Sequence, residues 1–304
     1  MLDYTMSKRY IASPLNYIGG KYKLLPQLLP LFPDNTGAFV DLFCGGGNVG
    51  VNSKANETLF NDNLVYLIDL YKALLKNTLD ETISYIEGRI VEYNLSLSNQ
   101  NGYLRIREEY NNHRNPLDLF VLAAFSFNHQ IRFNSNHQFN CPFGKDRSCY
   151  NSRMKYNLVQ FVNALKKKKV SFSSCNFDEF DFSVLRSDSF VYADPPYLIT
   201  TGTYNDGKRG FTGWNEQTER KLLEILDELN RRNIRFGLSN VLWHKGRSNQ
   251  ILQSWIEDNR YHVNYLNKDY SNCNYHSIDK GKNSSVEVLV TNYTPNQIEL
   301  KFWP

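Results

Sequence analysis

Four residues past the middle of the chain, Asp194-Pro195-Pro196-Tyr197, directly follow the apolar run Phe190-Val191-Tyr192-Ala193. Aromatic and β-branched residues favour a packed, pleated strand. Neither proline can donate to a sheet ladder, so the strand must end there. Asp194 is thereby fixed at a strand's carboxyl end, where open α/β sheets hold their ligands. A carboxylate in that place can accept hydrogen bonds or a proton from a ligand. The tetrapeptide alone leaves open a plain strand-ending turn with a solvated Asp.

A second constellation lies upstream, in "DLFCGGGNVG" (41–50), where glycines stand at the change from strand to helix. Glycine reaches positive φ and lets the backbone approach a ligand with no Cβ in the way. About twenty residues past the start of this turn comes Asp62, at the end of a second strand. In dinucleotide-binding folds a carboxylate at that spacing takes the ribose hydroxyls. Neither GxGxxG nor GxxxxGK[ST] is present, so a nucleoside ligand without phosphates fits better than a nucleotide. Metal chemistry is not expected. The five cysteines lack any CxxC pair, and His129, His137 and His276 have no ligand-like spacing.

These residues need a sheet to position them. The pattern predicts a Gly-Gly loop and short helix over 15–33, a strand at Ala38–Phe43, a helix after the glycine turn, and a strand at Glu57–Phe60. Helices follow over Val65–Glu92, Tyr103–His113 and Leu117–Phe127, with no strand among them. The α/β alternation resumes at Val170–Ser173, Phe190–Ala193, a helix at Glu216–Arg232 and strands at Ile234–Leu238 and Glu287–Asn292. The expected fold is a doubly wound, Rossmann-like α/β sheet with a mainly helical insert. Its discontinuous catalytic domain would span 1–65 and 170–304, and the insert 66–169.

Composition is compatible with that fold. The chain has 304 residues, 41% of them hydrophobic, and a net charge of +4. No run approaches the roughly 20 apolar residues of a membrane helix. The opening MLDYTMSKRY lacks an apolar leader segment, and the odd cysteine count fits a reducing compartment. A cytoplasmic location is expected, with anionic partners only mildly favoured.

Taken in order, the motifs resemble those of the Dam-type, alpha-group DNA adenine-N6 methyltransferases. "NYIGGKYKLLPQL" is similar to that family's N-terminal motif, "DLFCGGGNVG" to its cofactor turn and "FNDNLVYLIDLYK" to its second-strand motif. "QFNCPFGK" resembles the end of its DNA-reading hairpin, "ADPPY" its catalytic motif and "SSVEVLVTNY" its last strand. The resemblance spans nearly the whole chain. It implies S-adenosylmethionine as cofactor, held by Tyr17, Ile18, Gly19, Gly20 and Lys21, by Asp41, Phe43, Cys44, Gly45, Gly46, Gly47 and Asn48 around the turn, and by Asp62, Asn63 and Asp194.

It also implies the chemistry of Asp194-Pro195-Pro196-Tyr197. The lone pair of adenine N6 is delocalised into the ring, and the base must leave the stack to be reached. Asp194 would accept one N–H and the Pro195 carbonyl the other, favouring a pyramidal nitrogen that attacks the sulfonium methyl in line. Pro196 would stiffen the loop and Tyr197 would stack on the base. No metal and no cysteine nucleophile are required.

Residues 127–145 look like a hairpin, with Ile131–Phe133, a polar turn at Asn134–His137, then Phe139. By resemblance Arg132 reads a guanine, for which its bidentate fork suits O6 and N7. Asn128, Gln130, Asn134, Asn140, Pro142 and Lys145 are the other expected DNA contacts. Many GATC-reading relatives carry Asn-Gly-Leu before this arginine; here Asn128-His129-Gln130 stands instead. Lys166–Lys169 would meet phosphates or complement a helix C-terminus, and Lys280 and Lys282 would touch DNA.

The reading is therefore a DNA adenine methyltransferase acting on double-stranded DNA, with GATC as the expected target. A cognate restriction endonuclease sharing that target, without a stable complex, is the partner it allows for. Cytosine-N4 or RNA adenine methylation is the nearest alternative. A DNA-binding module with a vestigial cofactor site has no use for an intact Asp-Pro-Pro-Tyr. A nicotinamide oxidoreductase lacks its phosphate-binding glycines.

Overall fold

Phe190-Val191-Tyr192-Ala193 is apolar at every position because both faces of its strand are covered. Successive side chains alternate between faces, and here Phe190 and Tyr192 join one core while Val191 and Ala193 join the other. Phe39 and Val40 divide in the same way, as do Leu289 and its neighbours Val288 and Val290. Such continuous apolar strands are characteristic of sheets with both faces buried.

The computed structural model describes residues 10–200, 213–266 and 285–295. In chain order these form α1 (Leu25–Leu28), β1 (Ala38–Asp41), α2 (Asn48–Asn52), β2 (Glu57–Asn61), α3 (Val65–Lys76), α4 (Leu79–Glu92), α5 (Gln100–His113), α6 (Pro116–Phe125) and α7 (Ser152–Lys166). There follow β3 (Lys169–Ser173), β4 (Phe190–Ala193), α8 (Glu216–Arg231), β5 (Arg235–His244), β6 (Arg247–Ser248), α9 (Gln250–Asn259), β7 (His262–Leu266) and β8 (Ser285–Thr291).

One sheet runs β3-β2-β1-β4-β5-β8-β7, with the short β6 beside β5. The pairs from β3 through β5 are parallel, and β8 is antiparallel to both β5 and β7. Strand order reverses between β1 and β4, which makes their carboxyl ends the switch point where such sheets bind ligands.

Five helices, α3 to α7, lie between β2 and β3. They share one hydrophobic cluster that reaches from Phe60 on β2 through Tyr71 and Phe161 to Leu119 and Phe120 on α6. The single helix expected over 65–92 is two. Thr78 takes an extended conformation, and its hydroxyl and the Glu81 carboxylate cap each other's backbone N–H groups, starting α4 afresh. A cap of this kind is worth about 1 kcal/mol, and the apolar face continues across the break. The strand expected at Ile234–Leu238 is longer in the structure: β5 continues to His244 through a register shift between Val241 and Trp243. Helix α9 and strand β7 are additional to the expected elements.

Candidate functional site

The end of β4 delivers Asp194 into a buried charge cluster. Lys21 Nζ stands 2.8 Å from Asp194 Oδ2 and 3.5 Å from Glu287 Oε1, and donates to Gly19 O at 3.1 Å. Tyr197 OH lies 3.0 Å from Asp194 Oδ1 and 2.9 Å from Glu287 Oε1. The Lys21 ammonium also sits over the Tyr197 ring, 5.0 Å from its centre. Lys21 is 7% exposed, Asp194 15% and Glu287 3%. Burial opposes charge on Lys21, but Asp194 and Glu287 more than offset this and hold the ammonium above the usual lysine range. Burial pushes the Asp194 carboxyl up, against the pull of Lys21.

The glycine turn is built on Asp62. Its Oδ2 accepts the Gly45 N–H and its Oδ1 the Leu64 N–H, both at 2.9 Å, while Tyr71 OH donates to Gly45 O at 2.6 Å. Gly45 has φ +45, and a Cβ there would meet the Tyr17 ring at 2.9 Å, so the close seat of Tyr17 requires glycine. Asp41 Oδ2 accepts from Gly50 N at 2.8 Å, tying α2 to β1. Burial pushes the Asp41 carboxyl up to about 7, and it raises Asp62 as well.

A cavity of about 1340 Å³ joins the two constellations. Its walls include Tyr17, Ile18, Gly19, Gly20, Lys21, Asp41, Phe43, Cys44, Gly45, Gly46, Asn48, Asp62, Asn63 and the whole of Asp194-Pro195-Pro196-Tyr197. Gly47 lies outside that wall. It precedes α2 at φ +72, and a Cβ there would meet the Phe161 ring at 3.0 Å. Arg132 reaches the cavity from the other side, with Ile131 and Phe133.

The hairpin around Arg132 is held by a bridge between Phe133 and Phe139 and, at its base, one between Ser126 and Phe143. Phe133 stacks on Tyr66 of α3 at 4.4 Å. Arg132 Nε and Nη2 donate to Asn140 Oδ1 and O at 3.0 and 2.8 Å, so Asn140 orients the fork. Asn134 folds the turn by accepting the N–H groups of Asn136 and Gln138. Asn128 O accepts from Asn16, Gln130 O from Ser126 and Pro142 O from Phe127 N. Lys145 is exposed. Apart from Arg132, none of the seven expected DNA contacts lines the cavity.

Of the lysines at the end of α7, Lys166, Lys167 and Lys169 are exposed and Lys168 is half-buried. Lys166 Nζ donates to Asn77 O at 2.5 Å, Lys168 bonds Ser53 O and Oγ behind the glycine turn, and Lys169 pairs with Glu57 at 2.9 Å. Those contacts compete with the phosphate role expected for the run. Lys280, Lys282, His276 and Cys273 lie outside the described residues. Among the described residues, no group of three His, Cys, Asp or Glu side chains is placed to hold a metal, and no helix is long and apolar enough to cross a membrane.

Several site residues escaped the sequence reading. Glu287 is one, although an acid inside Val286-Glu287-Val288-Leu289-Val290 is a visible anomaly in a buried strand. Asn61 is another: its amide donates to Leu42 O and Cys175 O at 3.0 and 3.1 Å, joining the ends of β1 and β2 to the loop after β3. Asn111 is a third, bracketing the Phe139 N–H and C=O with both ends of its amide. Phe177 and Trp214 complete an aromatic wall with Phe43, all ring centres 5.5–5.8 Å apart. Nothing in their local sequence marks them.

A parallel-strand switch point with a glycine turn, the Asp62 carboxylate and Asp-Pro-Pro-Tyr around one cavity is the architecture of a Rossmann-like methyltransferase. The chain belongs to the D12 class N6 adenine-specific DNA methyltransferase family, whose model matches residues 17–272. It is 49% identical over 294 residues to the modification methylase StsI of Streptococcus sanguinis, covering 97% of this chain and 45% of that protein. Against the type II methyltransferase M.FokI of Planomicrobium okeanokoites it is 49% identical over 285 residues, 94% of this chain and 43% of the relative. The chain thus spans less than half the length of these two curated relatives. The DNA adenine methylase of Escherichia coli (strain K12) is 25% identical over 290 residues, covering 93% of this chain and 96% of that one.

Proposed function

We propose that the chain transfers a methyl group to adenine N6 of double-stranded DNA, using S-adenosylmethionine. The observation that carries this reading is the placement of Asp194 at the end of β4, paired with Lys21, in the cavity that also holds the glycine turn and Asp62. The residues present fit the cofactor. Asp62 keeps acceptor capacity beyond its two backbone bonds, the turn admits close approach at Gly45, and the walls mix carboxylates with aromatic rings. Tyr17 to Lys21, the 41–48 turn, Asp62 and Asn63 would hold it. When bound, S-adenosylmethionine supplies an electrophilic methyl on a positively charged sulfur.

The protein's own work is on the amine. Asp194 accepts an amine N–H, and the Pro195 carbonyl is the second acceptor. Lys21 and Tyr197 bond to both oxygens of Asp194 and keep the carboxylate oriented. Tyr197 offers its ring to the flipped base. Residues 66–169 act as the target-recognition domain, inserted into a catalytic domain of 1–65 and 170–304. Arg132 is its reader of a base edge and the other hairpin residues are its support. The setting is the cytoplasm, in a restriction-modification pair with an endonuclease that shares the target.

The test is to express the chain in a methylation-deficient host and to sequence the methylome, with nucleoside analysis of the labelled product. N6-methyladenine at one recurring sequence is the expected result, and GATC is the first sequence to inspect. N4-methylcytosine, or methyl groups in RNA alone, would overturn the reading.

A further inference from the structure

Glu219, in the first turn of α8, is fully buried and lies outside the machinery described so far. Among the described residues no lysine or arginine is paired with its carboxylate. Three N–H groups converge on it instead. Trp214 Nε1 donates to Oε2 at 2.6 Å, while the Asn240 and Asn249 amides donate to Oε1 at 2.9 and 3.2 Å. A buried carboxylate is costly unless such donors satisfy it, and the N-terminus of a helix adds favourable partial charge.

The two asparagines cannot turn their amides around cheaply. Asn240 Oδ1 already accepts Val241 N at 2.7 Å, and Asn249 Oδ1 accepts Leu252 N at 3.1 Å as the cap of α9. The pocket therefore presents donors at both ends and requires a side chain that accepts at both. Aspartate is a methylene too short, and glutamine would meet a donor with its own NH₂ on one side or the other.

This arrangement acts on the cavity through one residue. Trp214 packs its indole on Phe43 and Phe177, which stand beside the glycine turn and after β3. All three line the cavity. We propose that Glu219 is a positioning residue for cofactor binding: its carboxylate fixes the Trp214 indole, and with it the aromatic wall that a nucleoside packs against. The inference rests on the cavity being the S-adenosylmethionine site.

The test compares Glu219→Gln, Trp214→Phe and the double variant with wild type. Dissociation constants are measured by calorimetry for S-adenosylhomocysteine and by fluorescence anisotropy for duplex DNA, with thermal unfolding as the check on folding. Each single variant should weaken S-adenosylhomocysteine binding by about 5- to 20-fold, the equivalent of one well-made hydrogen bond. DNA binding should stay within about twofold, because phosphate contacts dominate it. The double variant should be no weaker than the worse single one, since both changes break one link. Folded variants that bind S-adenosylhomocysteine like wild type, equal losses for both ligands, or additive losses in the double variant overturn the proposal. If Glu219→Gln does not fold, Trp214→Phe decides alone, and unchanged cofactor affinity sinks it. Asp62→Ala is the control: if it too leaves affinity unchanged, the cavity reading has failed rather than the role of Glu219.

Discussion

Replacing Lys21 by Met keeps the side chain's length and removes the ammonium that pairs with Asp194 and Glu287. The ammonium lies 2.8 and 3.5 Å from the two carboxylates, and all three groups are less than a sixth exposed. Deleting one partner of a buried pair costs about 3–5 kcal/mol when the remaining charge stays ionised. The variant has a cheaper route, which is to bind a proton between Asp194 and Glu287. Burial raises the Asp194 carboxyl even beside Lys21, and without the cation it rises further. The variant is then most stable at low pH and loses stability as pH rises through the raised value. In wild type the Lys21 contribution does not change with pH in this range. Lys21 is held above its ordinary 10.5, so its contribution persists until the solution becomes strongly alkaline.

The difference between the two proteins therefore grows with pH. Urea unfolding at pH 5.5 and pH 8.5 should show a penalty of about 1 kcal/mol or less at the first and about 3 kcal/mol at the second. At roughly 2–4 °C per kcal/mol this is a melting difference of about 6–12 °C at pH 8.5. The activity profile should move in step. A protonated Asp194 is a weaker acceptor for an amine N–H than the carboxylate, so the acid limb of kcat should shift to higher pH in Lys21→Met. A penalty equal at both pH values, or below about 1 kcal/mol at pH 8.5, would refute the charge cluster as described.

Asp194→Asn should preserve the local geometry, with its oxygen turned to Lys21 and its NH₂ to the Tyr197 hydroxyl. It should lower kcat by about 10²- to 10⁴-fold while DNA and cofactor affinities stay within a few-fold; single-turnover methyl transfer exceeding a tenth of the wild-type rate would remove Asp194 from the reaction. Asp62→Ala should weaken S-adenosylmethionine binding by about 1–3 kcal/mol, read by calorimetry, since the ribose acceptor and the tether of Gly45 go together. Arg132→Ala should lose about 1–3 kcal/mol of discrimination at one base pair, and Asn140→Ala should lose part of the same discrimination by loosening the fork. Methylation of oligonucleotides varied base by base decides this, and identical rankings for all three proteins would show that Arg132 reads no sequence.

The legible parts of this protein are those with local physics. The strand before Asp194 had to stop at Pro195, and the glycine turn had to precede a helix, so the switch point could be placed from sequence. What escaped was assembled across the sheet. Glu287 meets Lys21 only because β8 pairs with β5 beside β4, which no local pattern encodes. Asn61 and Asn111 look like ordinary turn residues until their amides are seen bridging distant backbones. The break at Thr78 was readable, because Thr78-Leu79-Asp80-Glu81 has the capping pattern, but the unbroken apolar face concealed it. The lysines at the end of α7 read two ways in the sequence, as phosphate contacts or as a complement to the helix C-terminus; Lys168 turns to Ser53, while Lys166, Lys167 and Lys169 keep exposed side chains.

The balance of charge in the cavity yields one further expectation. Six acids, Asp41, Asp62, Asp178, Asp194, Glu216 and Glu224, line it against four cations, Lys21, Arg132, Arg220 and Lys221, and Glu287 stands behind the Lys21–Asp194 pair. The chain thus leaves the cavity negative, and increasingly so as pH rises through about 7, where Asp41 loses its proton. A negative wall favours a ligand carrying a positive charge over a neutral one of nearly the same shape. S-adenosylmethionine and S-adenosylhomocysteine are such a pair, differing by one methyl group and one unit of charge. Their ratio of dissociation constants should turn further toward the methylated form between pH 6 and pH 8.5. Two unit charges 4 Å apart interact by about 4 kcal/mol at an effective dielectric constant near 20, and even about 0.7 kcal/mol of this gives a threefold change in the ratio. Asp41→Asn should flatten the dependence, since it removes the group that titrates there. A ratio that stays constant with pH in wild type would mean that the buried carboxylates only hold the glycine turn together and do not favour a cationic ligand.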